Sequence, residues 1–430
     1  MEWNAWRVLD NALSDPSYIT RRFQQAQAAR LNLMRFFIAG DEGGPVLATV
    51  PGQLDDSVAR GLDFVLAEAP KYGIKVTPVF LNLWKKNGGV PKFEEWCGTA
   101  GLNTKPRPDL DLRPEPVLNE TERLQTPYDW LVSSKCRDQV KAYMSSVVNR
   151  RNSITGLLFK DDPAIFSRSP RQGSCAPTKS VAPVHPTLHS WNIMNEPRCK
   201  YCGPEAVDSW YGEMADHLRS VDPNHLITTG EEGFFAEGDP MAGADPNDGN
   251  QWAIRSGQDF RSWRRVPLGT DFGQQWIDAH SQVAAQLGKP LVLEEFGKVA
   301  GDGNITSLRD PWFVLVNNAV DASLASGGPL RGSLFWQWDG ETGTRGDSAV
   351  RSGDTTFGII QQFSHKMAAT APMPVPGCTP RGNATNGAAA AADPTVPPAT
   401  PSNSSGTSPG FVTLLPSDAS QPAGRKLLRS

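Results

Sequence analysis

Between residues 1 and 367, nearly continuous apolar runs alternate with segments whose apolar positions recur every three or four residues. The runs read as strands: WNAWRVL (3–9), LNLMRFF (31–37), IKVTPVFLN (74–82), SWNIMN (190–195), HLITTG (225–230), PLVLEEF (290–296) and GSLFWQW (332–338). Continuous apolar character without alternation suits strands of a parallel sheet that is buried on both faces. The periodic segments 17–30, 56–72, 130–150, 205–221, 273–288 and 311–326 read as helices, the second stopping at Gly73. Strand and helix alternating over this length predict a (β/α)8 TIM barrel occupying residues 1–370, with seven of its strands recognisable.

Residues 371–430 break the pattern. Pro, Ala, Ser and Thr dominate and large apolar residues are almost absent as far as Gly410. Such a stretch cannot bury enough surface to offset its chain entropy, so a disordered tail is expected.

Composition changes this picture little. The 430 residues are 39% hydrophobic with a net charge of -4. The mild acidity argues against a nucleic-acid partner, which needs a basic face. No run of 18 apolar residues occurs, so no membrane span is expected. The 13 Trp suit either core packing or flat platforms for sugar rings. The six Cys are widely spaced. They make no small disulfide scaffold, and one CxxC pair (Cys199, Cys202) without a second gives no zinc pattern. One or two ordinary disulfides are expected if the protein is exported. Four N-x-S/T sequons, at Asn119, Asn304, Asn383 and Asn403, are compatible with export. The chain opens MEWNAWRVLD without an apolar leader, which leaves a cytosolic protein or a missing start as the alternatives.

The candidate chemistry sits at strand ends. In a (β/α)8 barrel all the C-terminal strand ends converge on one face, where acids read as catalytic. Glu196 ends one strand, in WNIMNEPRC, and Glu294 and Glu295 end another, in PLVLEEFGK. Pro197 is expected to hold Glu196 in an extended backbone and to stop the strand there. Alternation along the second strand implies that one of Glu294 and Glu295 points to the barrel axis; the alternative is that both are surface charges at a strand end, satisfied by Lys298. Two carboxylates facing across a gap are the equipment for glycoside hydrolysis, one protonating the leaving oxygen and one attacking or activating water. At a separation of about 5.5 Å, their repulsion at an effective dielectric of 20 is on the order of 3 kcal/mol, or about two pKa units. That is enough to hold one acid protonated near neutral pH.

These motifs resemble glycoside hydrolase family five, and most closely its plant-type endo-β-1,4-mannanases. The likeness runs through residues 2–370 in order: EWNAW, NLMRFF, LNLWKKNGGVPKFEEWCG, WNIMNEPRC, TTGEEGFF, PLVLEEFGK and GSLFWQW. The resemblance implies Glu196 as general acid/base and Glu295 as nucleophile. It implies Asn195 as hydrogen-bond partner of the 2-hydroxyl of the attacked sugar, and Arg35 as the charge that keeps Glu295 ionised. Trp336 becomes the stacking floor and Trp84 a further aromatic contact. The implied partner is a polysaccharide (mannan, galactomannan or glucomannan), acted on by a secreted monomer. No metal or organic cofactor is implied; DPNDGN (245–250) lacks the spacing of a calcium loop.

Two internal stretches depart from the family. Residues 167–189 form a Ser/Pro-rich, basic insert ahead of the WNIMNEP strand. The sixth strand, which in the family ends in His-x-aromatic, is missing from GQDFRSWRRVPLGTDFGQQW (257–276), and the next His, His280, falls in a helix. A gap there opens a seam with unpaired strand edges. Alternatives therefore stand beside the mannanase: an endo-β-1,4-glucanase or glucomannanase on the same fold, and a catalytically inactive or misfolded isoform or carbohydrate-binding protein.

Overall fold

The computed structural model describes residues 8–39, 45–83, 89–97, 129–162, 189–197, 204–231, 270–298, 305–338 and 349–369. The 167–188 part of the insert, the sixth-strand region up to residue 269, the 371–430 tail, the asparagines of all four sequons and Trp84 lie outside them.

The chain begins with helices α1 (Val8–Ser14) and α2 (Pro16–Ala28). This corrects the strand expected over 3–9, whose last two residues are helical. Val8, Leu9 and Ala12 are buried together, three to four positions apart, and that spacing wins over the β-branched start. Asp15 caps α2, accepting from the Tyr18 N–H, with Pro16 at its first position.

Strand β1 (Leu33–Phe37) follows, then a short antiparallel hairpin, β2 (Ala48–Val50) with β3 (Gln53–Leu54), which the apolar pattern did not reveal. Helix α3 (Asp56–Glu68) is capped by Asp55 and continues into a 3-10 turn that Gly73 closes at φ 69°. Next come β4 (Lys75–Asn82), α4 (Val90–Cys97), α5 (Asp129–Val132) and α6 (Ser134–Val148). The single helix expected over 130–150 is thus two, because Ser133 leaves helical geometry to cap α6 through the Cys136 N–H. A disulfide joins Cys97 at the end of α4 to Cys136 in α6. The remaining elements are β5 (Ser190–Asn195), α7 (Pro204–Val221), β6 (Leu226–Thr228), α8 (Thr270–Gln286), β7 (Leu291–Phe296), α9 (Asp310–Ala325), β8 (Leu330–Phe335) and α10 (Thr355–Ala369).

All pairings among β1, β4, β5 and β6 are parallel, in that spatial order, and β7 pairs in parallel with β8. β1 also lies beside β8, so the two parallel groups adjoin on that side. Among the described residues no ladder joins β6 to β7. β5 is buried at every position and β4 at every position after Lys75, as the unbroken apolar runs require. On the outer face Phe80 of β4 stacks on Trp191 of β5 at 4.9 Å and meets Tyr143 of α6 edge-on at 6.2 Å. Burying an aromatic ring of this kind contributes roughly 1.5–3 kcal/mol. Behind them Asp222, just after α7, accepts from Trp191 Nε1 at 2.7 Å and lies 2.6 Å from His225 Nδ1. Burial pushes the Asp222 carboxyl up, but the hydrogen bonds from His225 and Trp191 outweigh it and hold the group below its usual range.

The expected strand 332–338 runs instead from Leu330 to Phe335, which puts Trp336 just past its C-terminal end. The expected strand 225–230 shortens to three residues, because His225 turns into the Asp222 pair and Gly230 takes φ 79°.

Candidate active site

The C-terminal ends of β5 and β7 meet at Arg35, which projects from the middle of β1 with 1% of its side chain exposed. One guanidinium nitrogen, Nη1, donates to Glu295 Oε1. The other, Nη2, donates to Asn195 Oδ1 at 2.8 Å. The Nε edge lies 3.4 Å from Glu294 Oε2. One buried cation therefore holds three groups from two other strands, and each pairing is charged or charge-assisted.

Asn195 is itself fixed. Its Nδ2 donates to Asn82 Oδ1 at 3.1 Å, at the rung where the two residues face each other across β4 and β5. Its backbone oxygen accepts from the Leu83 N–H at 3.1 Å. An amide nitrogen carries two hydrogens, so among the described residues one N–H of Asn195 remains after the bond to Asn82.

Glu196 follows directly. Its N–H donates to the Gly230 carbonyl at 2.9 Å, extending the β5–β6 pairing beyond the strand. The extended backbone expected from Pro197 is not found: Glu196 has φ 48°. A following proline works against the right-handed helical region, and the inter-strand bond to Gly230 selects the left-handed one here. Glu295 has φ 55°. The two acids are two of the three non-glycine residues with positive φ among the described residues, the third being Arg30 in the turn after α2. Left-handed backbone at non-glycine positions stores energy that the surrounding structure must over-determine, and it concentrates at functional sites.

The same left-handed residue corrects the reading of Glu294 and Glu295. Strict alternation sends neighbouring side chains to opposite faces. Here the β7–β8 register shifts between Leu293 and Phe296, and both carboxylates reach Arg35, each about one fifth exposed. Lys298, the expected surface partner, lies instead 6.0 Å from the Trp312 ring centroid. Glu294 also accepts from Asn192 Nδ2 at 3.2 Å, one layer below Asn195.

Gly230 closes the floor beneath β5. A Cβ built on it would lie 2.3 Å from the Met194 carbonyl oxygen and 2.5 Å from Asn192 Oδ1, so the position admits only hydrogen. Tyr211 of α7 braces the same turn, its hydroxyl donating to the Thr229 carbonyl at 2.7 Å.

Trp336 is half-buried at the same rim, and its backbone N–H donates to the Phe296 carbonyl at 2.8 Å. Of the residues expected at the site, Arg35, Asn195, Glu196, Glu295 and Trp336 therefore come to one end of the parallel strands. Sequence reasoning missed Asn82, Asn192, Gly230 and the part played by Glu294. The one signal for Asn82 and Asn192 is a polar residue inside an otherwise apolar run.

The chain is similar in sequence and fold to known proteins. Residues 41–183 fit the family model described as "GH family 5 beta-mannosidase-like", and residues 186–326 fit "Cellulase (glycosyl hydrolase family 5)". The chain is 31% identical over 403 residues to mannan endo-1,4-beta-mannosidase 4 of Oryza sativa subsp. japonica, covering 85% of this chain and 76% of that protein. It is 31% identical over 351 residues to mannan endo-1,4-beta-mannosidase 7 of Arabidopsis thaliana, covering 75% and 70%. Among solved structures it resembles a glycoside hydrolase family 5 mannosidase from Rhizomucor miehei at TM-score 0.60 and 22% identity, with 85% of this chain and 91% of that chain covered. It also resembles the endo-beta-1,4-mannanase from Thermotoga petrophila at TM-score 0.57 and 21% identity, covering 83% and 75%. These likenesses assign the (β/α)8 barrel as the fold.

Proposed function

We propose, for a chain that belongs to glycoside hydrolase family 5, a retaining mechanism run by Glu295 and Glu196. The hydrolase is of the mannan endo-1,4-β-mannosidase type, the activity for which its plant relatives are named. It cleaves internal linkages of a mannan-type polysaccharide.

The Arg35 bridge carries the reading of the residues. A nucleophilic carboxylate must be ionised and aimed, and Glu295 accepts a charge-assisted bond from a buried guanidinium. In the first step its carboxylate attacks the anomeric carbon while Glu196 gives its proton to the departing glycosidic oxygen. The anomeric C–O bond to the leaving chain breaks as the glycosyl–Glu295 ester forms. In the second step Glu196, now a carboxylate, takes a proton from water, which attacks the same carbon and releases Glu295. The remaining Asn195 N–H is the donor for the 2-hydroxyl, where a hydrogen bond strengthens as the oxocarbenium character grows. Trp336 offers an aromatic face to the sugar above it.

The proposal extends to an oxidising, extracellular compartment, which the Cys97–Cys136 disulfide supports.

Reducing-end release from galactomannan and from carboxymethyl cellulose tests the function. Release from galactomannan, retention of anomeric configuration in the first product, and loss of at least about a thousandfold in Glu295→Gln and Glu196→Gln are expected. Comparable release from cellulose overturns the mannan preference. A chain that binds mannan without cleaving it overturns the catalytic assignment.

A further inference from the structure

Glu294 has no part in a two-glutamate mechanism, yet it lies against the same guanidinium as the nucleophile. A third carboxylate beside the pair is chemically costly, because like charges oppose each other's ionisation. It is retained in a built position. Glu294 Oε2 lies 3.4 Å from Arg35 Nε and accepts from Asn192 Nδ2 at 3.2 Å, and Asn192 is confined from the other side by Gly230. The three edges of Arg35 are thus divided: Nη1 to Glu295, Nη2 to Asn195 and Nε to Glu294.

We propose that Glu294 is a positioning residue for Glu295, tuning it through the charge of Arg35, which the two carboxylates share. The inference rests on the nucleophile assignment above. The contact at Nε is an ion pair without a hydrogen bond, so its effect is electrostatic. Dividing its charge between two carboxylates leaves Glu295 less strongly stabilised as an anion than a private ion pair does, and so a stronger base and better nucleophile. Arg35 from β1 pairs with Glu295, and Glu294 from its own strand shares that cation; at the neighbouring strand ends stand Glu196 after β5, Glu231 after β6, pushed up to about 7 by burial and by Asp208, and Lys298 after β7, against Trp312. β8 contributes the uncharged Trp336. On α8 the His280 ring stacks on Trp276 and Asp278 binds Gln274, within the helix itself.

The test is the pH profile of kcat/KM on galactomannan for wild type, Glu294→Gln and Glu294→Asp. Glu294→Gln preserves shape and an acceptor for Asn192 but removes the charge. Its acidic limb is expected to move down by about one pH unit with KM little changed, since a like charge at this range is worth that much. Glu294→Asp keeps the charge and should restore the wild-type limb. Glu294→Ala serves if the Gln variant does not fold. The same quantity is read without turnover from the 13C titration of the Glu295 carboxyl, assigned by its loss in Glu295→Gln. A lower titration midpoint in the Gln variant supports the proposal, and an unchanged midpoint overturns it. A wild-type chain that fails to cleave mannan while Glu294→Gln still lowers the Glu295 midpoint overturns only the function, so the two failures are distinguishable.

Discussion

Arg35 and Asn195 lie 160 positions apart in the chain and share a 2.8 Å hydrogen bond inside the barrel. Through that bond a residue of β1 fixes the neighbour of Glu196 at the end of β5 while its other nitrogen holds Glu295 on β7. Replacing Arg35 by Lys supplies charge without the planar fork, so it cannot serve two acceptors in fixed geometry. Arg35→Lys is expected to lower kcat/KM at least a hundredfold, and Arg35→Met also to cost about 3–5 kcal/mol of stability by leaving carboxylates without their cation. Steady-state kinetics and denaturant melts separate the two effects. Near-normal turnover in the Lys variant counts against the bridge.

Gly230 makes a sharper steric demand. Any side chain there meets the Met194 carbonyl, and its φ of 79° strains an L-residue as well. Gly230→Ala should displace the carbonyl that anchors the Glu196 N–H. Expected are roughly 1–3 kcal/mol of lost stability and a fall in kcat larger than the change in KM. Calorimetry alongside kinetics checks it.

His189 at the entry to β5 couples stability to pH. Burial, with smaller contributions from the charges of Lys75 and His225, holds its imidazole down at about 4 against a usual 6.5. Between these values the unfolded chain binds a proton that the folded one does not, so stability rises with pH through this window and is fully present above it. On acidification from about 6.5 to about 4 the contribution lost is on the order of 3 kcal/mol. His189→Gln should flatten that part of the stability profile in urea titrations at several pH values.

Tyr143 carries a buried hydroxyl with no hydrogen-bond partner among the described residues, and burial pushes its phenol strongly up. An unsatisfied buried hydroxyl costs about 1–3 kcal/mol. Tyr143→Phe keeps the ring against Phe80 and Phe93 and is expected to raise the melting temperature with activity unchanged. A lower melting temperature would show that the hydroxyl contributes.

Much of this was legible in the chain. Strand β5 matches the apolar run 190–195 residue for residue, because Asn195, Glu196 and Pro197 mark its end and nothing polar interrupts its outer face. The convergence of Glu196 and Glu295 on one rim followed from barrel topology and family resemblance. The backbone at both acids was not legible. Local preference says extended before a proline and alternating within a strand, but inter-strand bonds and the Arg35 charge impose left-handed residues at 196 and 295. Glu294 was misplaced for that reason. The expected strand at 3–9 failed on its last two residues because two turns of helix with one buried face have the same composition as a short strand.

The Cys97–Cys136 bridge has a covalent consequence. It spans 39 positions, so residues 98–135 form a ring stitched shut at its neck. A protease cutting anywhere in that ring leaves the two pieces travelling as one band on a gel until a thiol reductant is added, and the barrel keeps α4 and α6 in register through the cut.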